Sequence, residues 1–164
     1  MNSGPGSSPA QHRPALYPLL YEPLVRLALR EDLGRAGDVT TDAIVPADLS
    51  ATGRIVARAA GRIAGIEVAA SAFRLLDART EIAIVVPDGE DAAPGTVVAE
   101  VRGPARAILS GERVALNFLG HLSGIATVTR GIVDAVAGRA TRVVCTRKTT
   151  PGLRKPSRFR ARPV

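Results

Sequence analysis

The stretch Gly111–Thr127 reads G-E-R-V-A-L-N-F-L-G-H-L-S-G-I-A-T and governs the interpretation of this 164-residue chain. Its apolar residues recur every three or four positions, which predicts an amphipathic helix that continues to about Ala137. Ser110 stands just before the stretch, where a side-chain hydroxyl can cap the first turn of a helix. Three glycines interrupt the pattern, so we expect a kink or two consecutive helices: Gly120, Gly124 and Gly131.

Upstream of this helix, short helical patterns and short strand patterns are mixed. Apolar residues at helical spacing predict helices over about Pro23–Leu33 and Glu67–Ala78, and Gly34 suits the end of the first helix. Alternating or turn-bounded apolar runs predict strands over residues 52–59, 81–86 and 96–101. This mixture predicts an α+β domain in which an antiparallel sheet packs against helices.

Downstream of the helix, Arg142–Thr146 forms a short apolar run that predicts one strand. It leads directly into T-R-K-T-T-P-G at residues 146–152, and α/β folds place ligand-binding groups immediately after strands. A long helix followed by a strand is the opening of an α/β barrel, and a single strand cannot form the sheet of one. The predicted fold class is therefore an α+β N-terminal domain followed by the first helix and strand of an incomplete α/β barrel.

These patterns divide the chain into four segments. Residues 1–19 are predicted to form a flexible leader, residues 20–110 the α+β domain, and residues 111–154 the start of the barrel. Residues 155–164 are an atypical basic tail, rich in Arg and Pro, that follows neither helical nor strand periodicity. We therefore expect the chain to be truncated within its barrel.

The net charge of +7 is located in the C-terminal part of the chain. Residues 1–138 hold 13 basic and 15 acidic side chains, whereas Arg139–Val164 holds nine basic and no acidic side chains. Only one aromatic residue, Phe159, accompanies those charges, so we expect no specific nucleic-acid site. The sequence has no run of about 18 apolar residues, and the single cysteine, Cys145, can form no internal disulfide. These features predict a cytoplasmic protein that has neither a membrane nor a nucleic acid as partner.

Three segments together carry a resemblance to a known family. Ala28–Pro46 reads A-L-R-E-D-L-G-R-A-G-D-V-T-T-D-A-I-V-P, Gly111–Thr127 is the stretch quoted above, and Thr146–Leu153 reads T-R-K-T-T-P-G-L. In this order and spacing, they resemble the quinolinate phosphoribosyltransferases, also named nicotinate-nucleotide pyrophosphorylases (carboxylating). The similarity runs from about Leu20 to Arg154.

The resemblance implies an enzyme of NAD biosynthesis, a pentosyltransferase. Family members transfer the phosphoribosyl group of phosphoribosyl pyrophosphate to quinolinate and decarboxylate the product, which gives nicotinate mononucleotide, CO₂ and pyrophosphate. The reaction uses Mg²⁺, and members are homodimers in which each active site is completed by the neighbouring subunit. The family's magnesium and phosphate ligands lie on later barrel strands that have no counterpart in this sequence. No metal-ligating or catalytic residue is therefore assigned, and we expect the chain alone to be inactive.

Four residues are predicted to bind quinolinate, which carries two adjacent ring carboxylates. A guanidinium group binds a carboxylate bidentately, and an ammonium group adds a point charge. By the resemblance, the quinolinate pocket is lined by Thr146, Arg147 and Lys148. The resemblance also implies that Arg113 reaches across the dimer to the quinolinate of the partner subunit. From its own surroundings alone, Arg113 is most typical of a solvated helix arginine paired with Glu112 or Glu100, and the motif reverses that preference.

The remaining polar candidates receive structural interpretations. His121 is predicted to be a packed helix histidine, although histidine is the usual acid–base catalyst near neutral pH. Asp38, Thr40 and Thr41 belong to the first matched segment and are predicted to shape a loop. Cys145 is predicted to be a small buried hydrophobe.

Two alternatives stay open at this level. One is the molybdenum-transport-associated pyrophosphorylase, a paralogue with similar motifs. The other is a non-catalytic remnant that retains only the dimerising N-terminal domain. A biotinyl or lipoyl carrier is excluded, because its modified lysine stands at a hairpin tip and this sequence has no lysine before Lys148.

Overall fold

A computed structural model describes residues 16–144 and residue 146 of the chain. After a single 3₁₀ turn at Pro18–Leu20, the elements follow in this order: α1 (Glu22–Leu33), α2 (Val39–Ile44), β1 (Ser50–Val56), β2 (Gly61–Arg62), α3 (Ile66–Leu76), β3 (Glu81–Ile84), β4 (Asp91–Ala92), β5 (Val97–Pro104) and α4 (Ala105–Ala135). The 3₁₀ turn falls inside the predicted leader, of which residues 1–15 lie outside the described residues.

The sheet is antiparallel, as predicted, and β5 is its central strand. Its order is β1-β5-β3, with Ile55 of β1 and Ile84 of β3 both paired with Ala99 of β5. A separate short ladder joins β2 to β4. Because β5 has a hydrogen-bonded neighbour on each side, its residues Val98 and Val101 are almost completely buried. The predicted α+β organisation of this part of the chain is confirmed.

The core lies between this sheet and three helices. Val25 of α1 and Ala69 of α3 have no exposed surface, and Phe73 of α3 is 2% exposed. The apolar faces that the sequence placed on α1 and α3 are therefore the faces that meet the core, and both helices match their predicted bounds within two residues. Helix α1 ends at Gly34, whose φ of 57° is accessible to glycine at little cost.

The prediction of a loop at Asp38, Thr40 and Thr41 was wrong. Asp38 is the N-cap of α2, and Thr40 and Thr41 lie inside that helix. The hydrophobic pattern gave no signal for α2, because it has six residues and only one of them, Thr41, is buried. A helix this short is held by its cap and its packing rather than by an apolar stripe.

Helix α4 differs from its prediction at the start and in its continuity. It begins at Ala105, directly after β5, so Ser110 lies inside the helix and is not its N-cap. The Ala105 amide donates to the Leu49 carbonyl at 2.8 Å, which fixes the helix start beside β1. Ala105–Ala135 is one helix rather than two, and a Cβ atom at each of the three glycines would meet nothing within 4 Å: Gly120, Gly124 and Gly131. The predicted boundary between residues 110 and 111 thus falls within one continuous helix.

The strand predicted over Arg142–Thr146 was wrong for the residues that the structure describes. Residues 142–144 and Thr146 have no strand conformation, whereas Cys145 lies outside the described residues. A strand exists only through hydrogen bonds to a neighbour, and no described strand lies beside this segment. The run is apolar, as a buried strand would be, but among the described residues it has no neighbouring strand with which to form hydrogen bonds.

The second half of α4 is fastened to the β2 region by two hydroxyl groups. Thr127 Oγ1 accepts from the Arg62 amide at 2.9 Å and donates to the Ser123 carbonyl at 2.8 Å. Ser123 Oγ accepts from the Ala64 amide at 3.0 Å. A Cβ atom at Gly61 would lie 2.7 Å from Thr127 Oγ1, so glycine is required for this approach. Among the described residues, no helix is long and apolar enough to cross a membrane.

Two glycines of α4 should respond to alanine in opposite directions. A Cβ atom at Gly111 would lie 2.9 Å from Cδ1 of the buried Phe73 ring, whereas one at Gly120 would meet nothing within 4 Å. We expect Gly111→Ala to lower the free energy of unfolding by about 1–2 kcal/mol, since overpacking outweighs the gain in helix propensity. Gly120→Ala should raise it by about 0.5–1 kcal/mol. Urea unfolding of both variants measures the difference, and equal effects would contradict the α3–α4 contact.

Candidate functional site

The N-terminal half of α4 carries a row of polar side chains that we call the α4 polar face. It consists of Arg106, Ser110 and Arg113, whose spacing of four and then three residues places them on one side of a helix. All three make hydrogen bonds to the segment between Asp32 and Val45, which includes the end of α1 and all of α2. The face therefore connects α4 to the first matched segment of the sequence.

Asp38 is the centre of this connection. Its Oδ1 accepts from the Thr41 amide at 3.0 Å, and its Oδ2 accepts from the hydroxyl groups of Thr41 at 2.6 Å and Ser110 at 2.9 Å. These bonds, the Thr41 hydroxyl foremost, hold the pKa of the Asp38 carboxyl below its usual value, and the charge of Arg113 lowers that pKa further. One carboxylate thus caps α2 and also joins it to α4.

Arg106 is fully engaged with the backbone and side chains of α2. Its Nε donates to the Val45 carbonyl at 2.9 Å, its Nη1 to Asp42 Oδ1 at 3.0 Å, and its Nη2 to the Asp42 carbonyl at 3.0 Å. All three guanidinium nitrogens therefore have protein partners. This arginine satisfies the C-terminal end of α2 and has a structural role.

Arg113 makes one hydrogen bond to another described residue and is otherwise open to solvent. Its Nη1 donates to Asp32 Oδ1 at 2.6 Å; its side chain is 73% exposed, whereas that of Asp32 is 19% exposed. The hydrogen bond to Asp32 raises the pKa of Arg113. The sequence alternative of an ion-paired helix arginine is right in kind, but the partner is neither Glu112 nor Glu100. Glu100 binds two other side chains instead, Arg54 and Arg102.

The four predicted quinolinate ligands are only partly visible. Arg113 projects from α4 with its guanidinium exposed, and Thr146 is exposed as well. Arg147 and Lys148 lie outside the described residues, so the structure describes only two of the four side chains. Their shared role as a pocket stays a prediction.

His121 was predicted to be packed, and this prediction was wrong. It is exposed and lines an open, mainly apolar groove of about 480 Å³ on the second half of α4. The other lining residues are Gly120, Gly124, Ile125, Val128 and Thr129. The ring is exposed because it projects from the face of α4 turned away from the core, which the neighbouring apolar residues in sequence did not reveal.

No metal centre is formed by the described part of the chain. Within residues 16–144 and at residue 146, no three His, Cys, Asp or Glu side chains come together as a metal ion would need. The carboxylates near the α4 polar face are each occupied by a hydroxyl, an amide or a guanidinium. These residues do not fit the Mg²⁺ ion that the resemblance implies.

Sequence reasoning missed Asp32 and the Asp38–Ser110 contact. Asp38 was detectable in principle, because aspartate is one of the residues preferred at the N-cap of a helix. Asp32 was not detectable from local pattern, since it lies 81 residues away from Arg113 in the chain. Its importance appears only when α1 and α4 are packed together.

Known proteins are similar to this chain both in sequence and in fold. Residues 38–123 match the family model for the quinolinate phosphoribosyl transferase N-terminal domain, and residues 125–161 match the model for its C-terminal domain. A probable nicotinate-nucleotide pyrophosphorylase [carboxylating] of Synechocystis is 43% identical over 146 residues, which are 88% of this chain and 48% of that protein. A probable nicotinate-nucleotide pyrophosphorylase [carboxylating] of Bacillus subtilis is 42% identical over 132 residues, which are 80% of this chain and 45% of that protein.

A solved structure shows the same arrangement. The crystal structure of NadC from Streptococcus pyogenes superimposes with a TM-score of 0.85 at 37% identity, covering 90% of this chain and 54% of that one. The chain thus spans about half the length of the proteins that it matches. The match extends past the α+β domain, as the predicted fold class requires.

The pH dependence of stability should reveal the role of Asp38. Its pKa is lowered in the folded chain, so its ionised form contributes stability that is present above about pH 4 and is lost as the pH falls through the folded pKa. We expect Asp38→Ala to lower Tm at pH 7, and Asp38→Asn to lower it less, because asparagine still caps a helix. The difference from the unmodified chain should narrow below pH 4. Thermal unfolding from pH 3 to 7 measures this, and a gap independent of pH would contradict it.

Proposed function

We propose a function from one premise: this chain belongs to the quinolinate phosphoribosyltransferase family. The proposed activity is transfer of the phosphoribosyl group of phosphoribosyl pyrophosphate to quinolinate, with decarboxylation to nicotinate mononucleotide and release of pyrophosphate. The product is a precursor of NAD. In this proposal, the chain supplies part of the quinolinate site.

The exposed guanidinium of Arg113 is the observation that carries this proposal. Quinolinate presents two adjacent carboxylates, and a guanidinium edge binds a carboxylate through two parallel N–H···O bonds. Among the described residues, Arg113 contacts only Asp32, and it does so through Nη1 alone. A dicarboxylate ligand would therefore find an accessible, permanently charged group on a rigid helix.

The proposed pocket has a second part contributed by Thr146, Arg147 and Lys148. An arginine and a lysine next to each other supply one bidentate and one point-charge contact, which suits two carboxylates on one ring. Arg113 projects away from the core, so we propose that it serves the pocket of a second subunit in a homodimer. Substrate binding would then require association of two chains.

Magnesium belongs to the proposed reaction but not to the described residues. They hold no cluster of His, Cys, Asp or Glu side chains suited to the ion. We propose that the protein acts in the cytoplasm, where NAD precursors and phosphoribosyl pyrophosphate are both soluble substrates.

Activity tests can separate the quinolinate site from the full chemistry. With quinolinate, phosphoribosyl pyrophosphate and Mg²⁺, we expect no detectable nicotinate mononucleotide from the 164-residue chain alone. Turnover also needs preorganised charge at the sugar and pyrophosphate, which supplies most of the rate in electrostatic catalysis. Residues 1–154 joined to the remaining part of the Bacillus subtilis relative, which we call the extended chain, should be active. Chromatography of the product measures both.

The same assay tests the assigned arginines. Arg113→Ala and Arg147→Ala should each abolish the activity of the extended chain, since each removes a charged contact to quinolinate. Arg130→Ala is the matched control, because Arg130 also lies exposed on α4 but pairs with Asp134. An extended chain indifferent to both substitutions would overturn the site. An inactive extended chain that folds and dimerises would favour a non-catalytic remnant.

Association should depend on the apolar groove of α4. Val128, which lines the groove, is 65% exposed, and Ile132, one turn further along α4, is 51% exposed. Exposure of these apolar side chains to water is unfavourable and promotes association. We expect the 164-residue chain to dimerise, aggregate or bind a hydrophobic dye, and Val128→Lys to reduce this. Leu19→Lys, at a position before α1 that is 83% exposed, should have little effect. Sedimentation velocity with dye fluorescence measures both, and a dye-silent monomer would contradict the expectation.

A further inference from the structure

Asp32 occupies a distinctive position next to Arg113. It lies in the last turn of α1, where its side chain is largely shielded, while the guanidinium that it holds is largely exposed. A carboxylate in that position is fixed by the packing of α1 against α3 and α4. The contact therefore joins a rigid anchor to a group that faces solvent.

The geometry of the contact leaves one edge of the guanidinium available. Asp32 Oδ1 receives a single hydrogen bond, from Nη1, at 2.6 Å. Within the part of the chain that the structure describes, Nε and Nη2 of Arg113 have no hydrogen-bond partner. These two nitrogens form one of the edges through which arginine binds a carboxylate bidentately.

Several other arginines use that edge for internal pairing, whereas Arg74, like Arg113, donates only through Nη1, to Glu67 at 3.3 Å. Arg62 donates through Nε and Nη2 to Asp91 at 2.9 and 2.8 Å, and Arg79 donates through the same atoms to Asp77 at 3.0 and 2.7 Å. Arg106, about two turns earlier on α4, engages all three of its nitrogens. Arg113 differs from all three because its internal partner is bound end-on and the edge stays open.

A second carboxylate strengthens the arrangement. Asp38 is held in place by Thr41 and Ser110, and its charge interacts favourably with that of Arg113. The hydrogen bonds of Asp38 go to Thr41 and Ser110 and not to Arg113, so Asp38 attracts the guanidinium without occupying one of its nitrogens. Both carboxylates thus act on the guanidinium from the protein side.

We propose that Asp32 is a positioning residue for substrate binding: it holds Nη1 of Arg113 so that the Nε–Nη2 edge is presented to a carboxylate of quinolinate. This inference rests on the proposed function, which assigns Arg113 to quinolinate. Positioning lowers the conformational cost of binding, because a long arginine side chain otherwise loses its rotamer freedom when the substrate arrives. The opposite role, a competitor that must release Arg113 before substrate binds, predicts the opposite effect on affinity.

Kinetics of the extended chain distinguish these roles. Asp32→Asn keeps the shape of the side chain and removes its charge, so we expect KM for quinolinate to rise about tenfold while kcat changes by less than about twofold. Asp42→Asn is the matched control, because it removes an exposed carboxylate that pairs with Arg106 on the same helix. It should leave both constants unchanged. An unchanged or lowered KM in Asp32→Asn would overturn the proposal.

The outcome is separable from failure of the proposed function. If Arg113→Ala retains activity, the assignment of Arg113 to quinolinate is wrong. If Arg113→Ala is inactive while Asp32→Asn behaves like the unmodified protein, only the positioning role is wrong. Asp32→Glu, which retains a carboxylate, should recover part of the affinity lost in Asp32→Asn, and no recovery would argue against a role for the charge.

The 164-residue chain provides a readout that needs no turnover. Nitrogen-15 NMR of the guanidinium groups reports hindered rotation of the Nη groups, which a persistent hydrogen bond slows. We expect hindered rotation at Arg113 in the unmodified chain and in Asp42→Asn, and faster rotation in Asp32→Asn. Circular dichroism verifies that each variant is folded. Identical rotation in all three proteins would show that Asp32 does not restrain Arg113, and the proposal would fail.

Discussion

The close approach of α4 to α3 is the contact on which the rest of the described structure depends. Gly111 lies against the ring of Phe73, where any side chain would enter the van der Waals space of the ring. This approach brings α4 over the core that α3 shares with the central strand β5. It also fixes the rotation of α4 about its own axis, because the side without side-chain bulk must face Phe73. The direction in which the opposite side points is decided at the same time.

That rotation explains why the α4 polar face meets α1 and α2. With Gly111 turned to the core, Ser110 is directed to Asp38, and Arg106 is directed to the end of α2. The short helix α2 has little apolar surface of its own, so these polar contacts are what hold it. Arg113 is the most exposed member of this row. Packing and site geometry are therefore consequences of one helix orientation.

Much of the fold could be predicted from sequence, because α1, α3 and the strands have local apolar patterns that survive in the folded chain. The start of α4 was misplaced because Ser110 was interpreted as its N-cap, whereas the helix begins at Ala105. Proline is compatible both with the last residue of a strand and with the residue before a helix, and Pro104 serves as both. The strand at Arg142–Val144 failed for a different reason, since strand formation depends on a partner that a local pattern cannot supply. Arg113 was identified as a candidate ligand through a motif, and its role at the site stays a prediction. Its anionic partner was not identified, because Asp32 is distant in sequence.

The continuity of α4 has a geometric consequence for the junction between the regions that match the two family models. The family models for the two domains meet between residues 123 and 125, in the interior of a helix that spans Ala105–Ala135. At 1.5 Å per residue, this helix is about 46 Å long, and it belongs to both matched regions. Insertion or deletion of one residue between Arg113 and Gly124 would turn everything beyond it by about 100° relative to Arg113. The helix therefore fixes the rotation of one matched region relative to the other. During evolution, their junction would tolerate substitutions far more readily than changes in length.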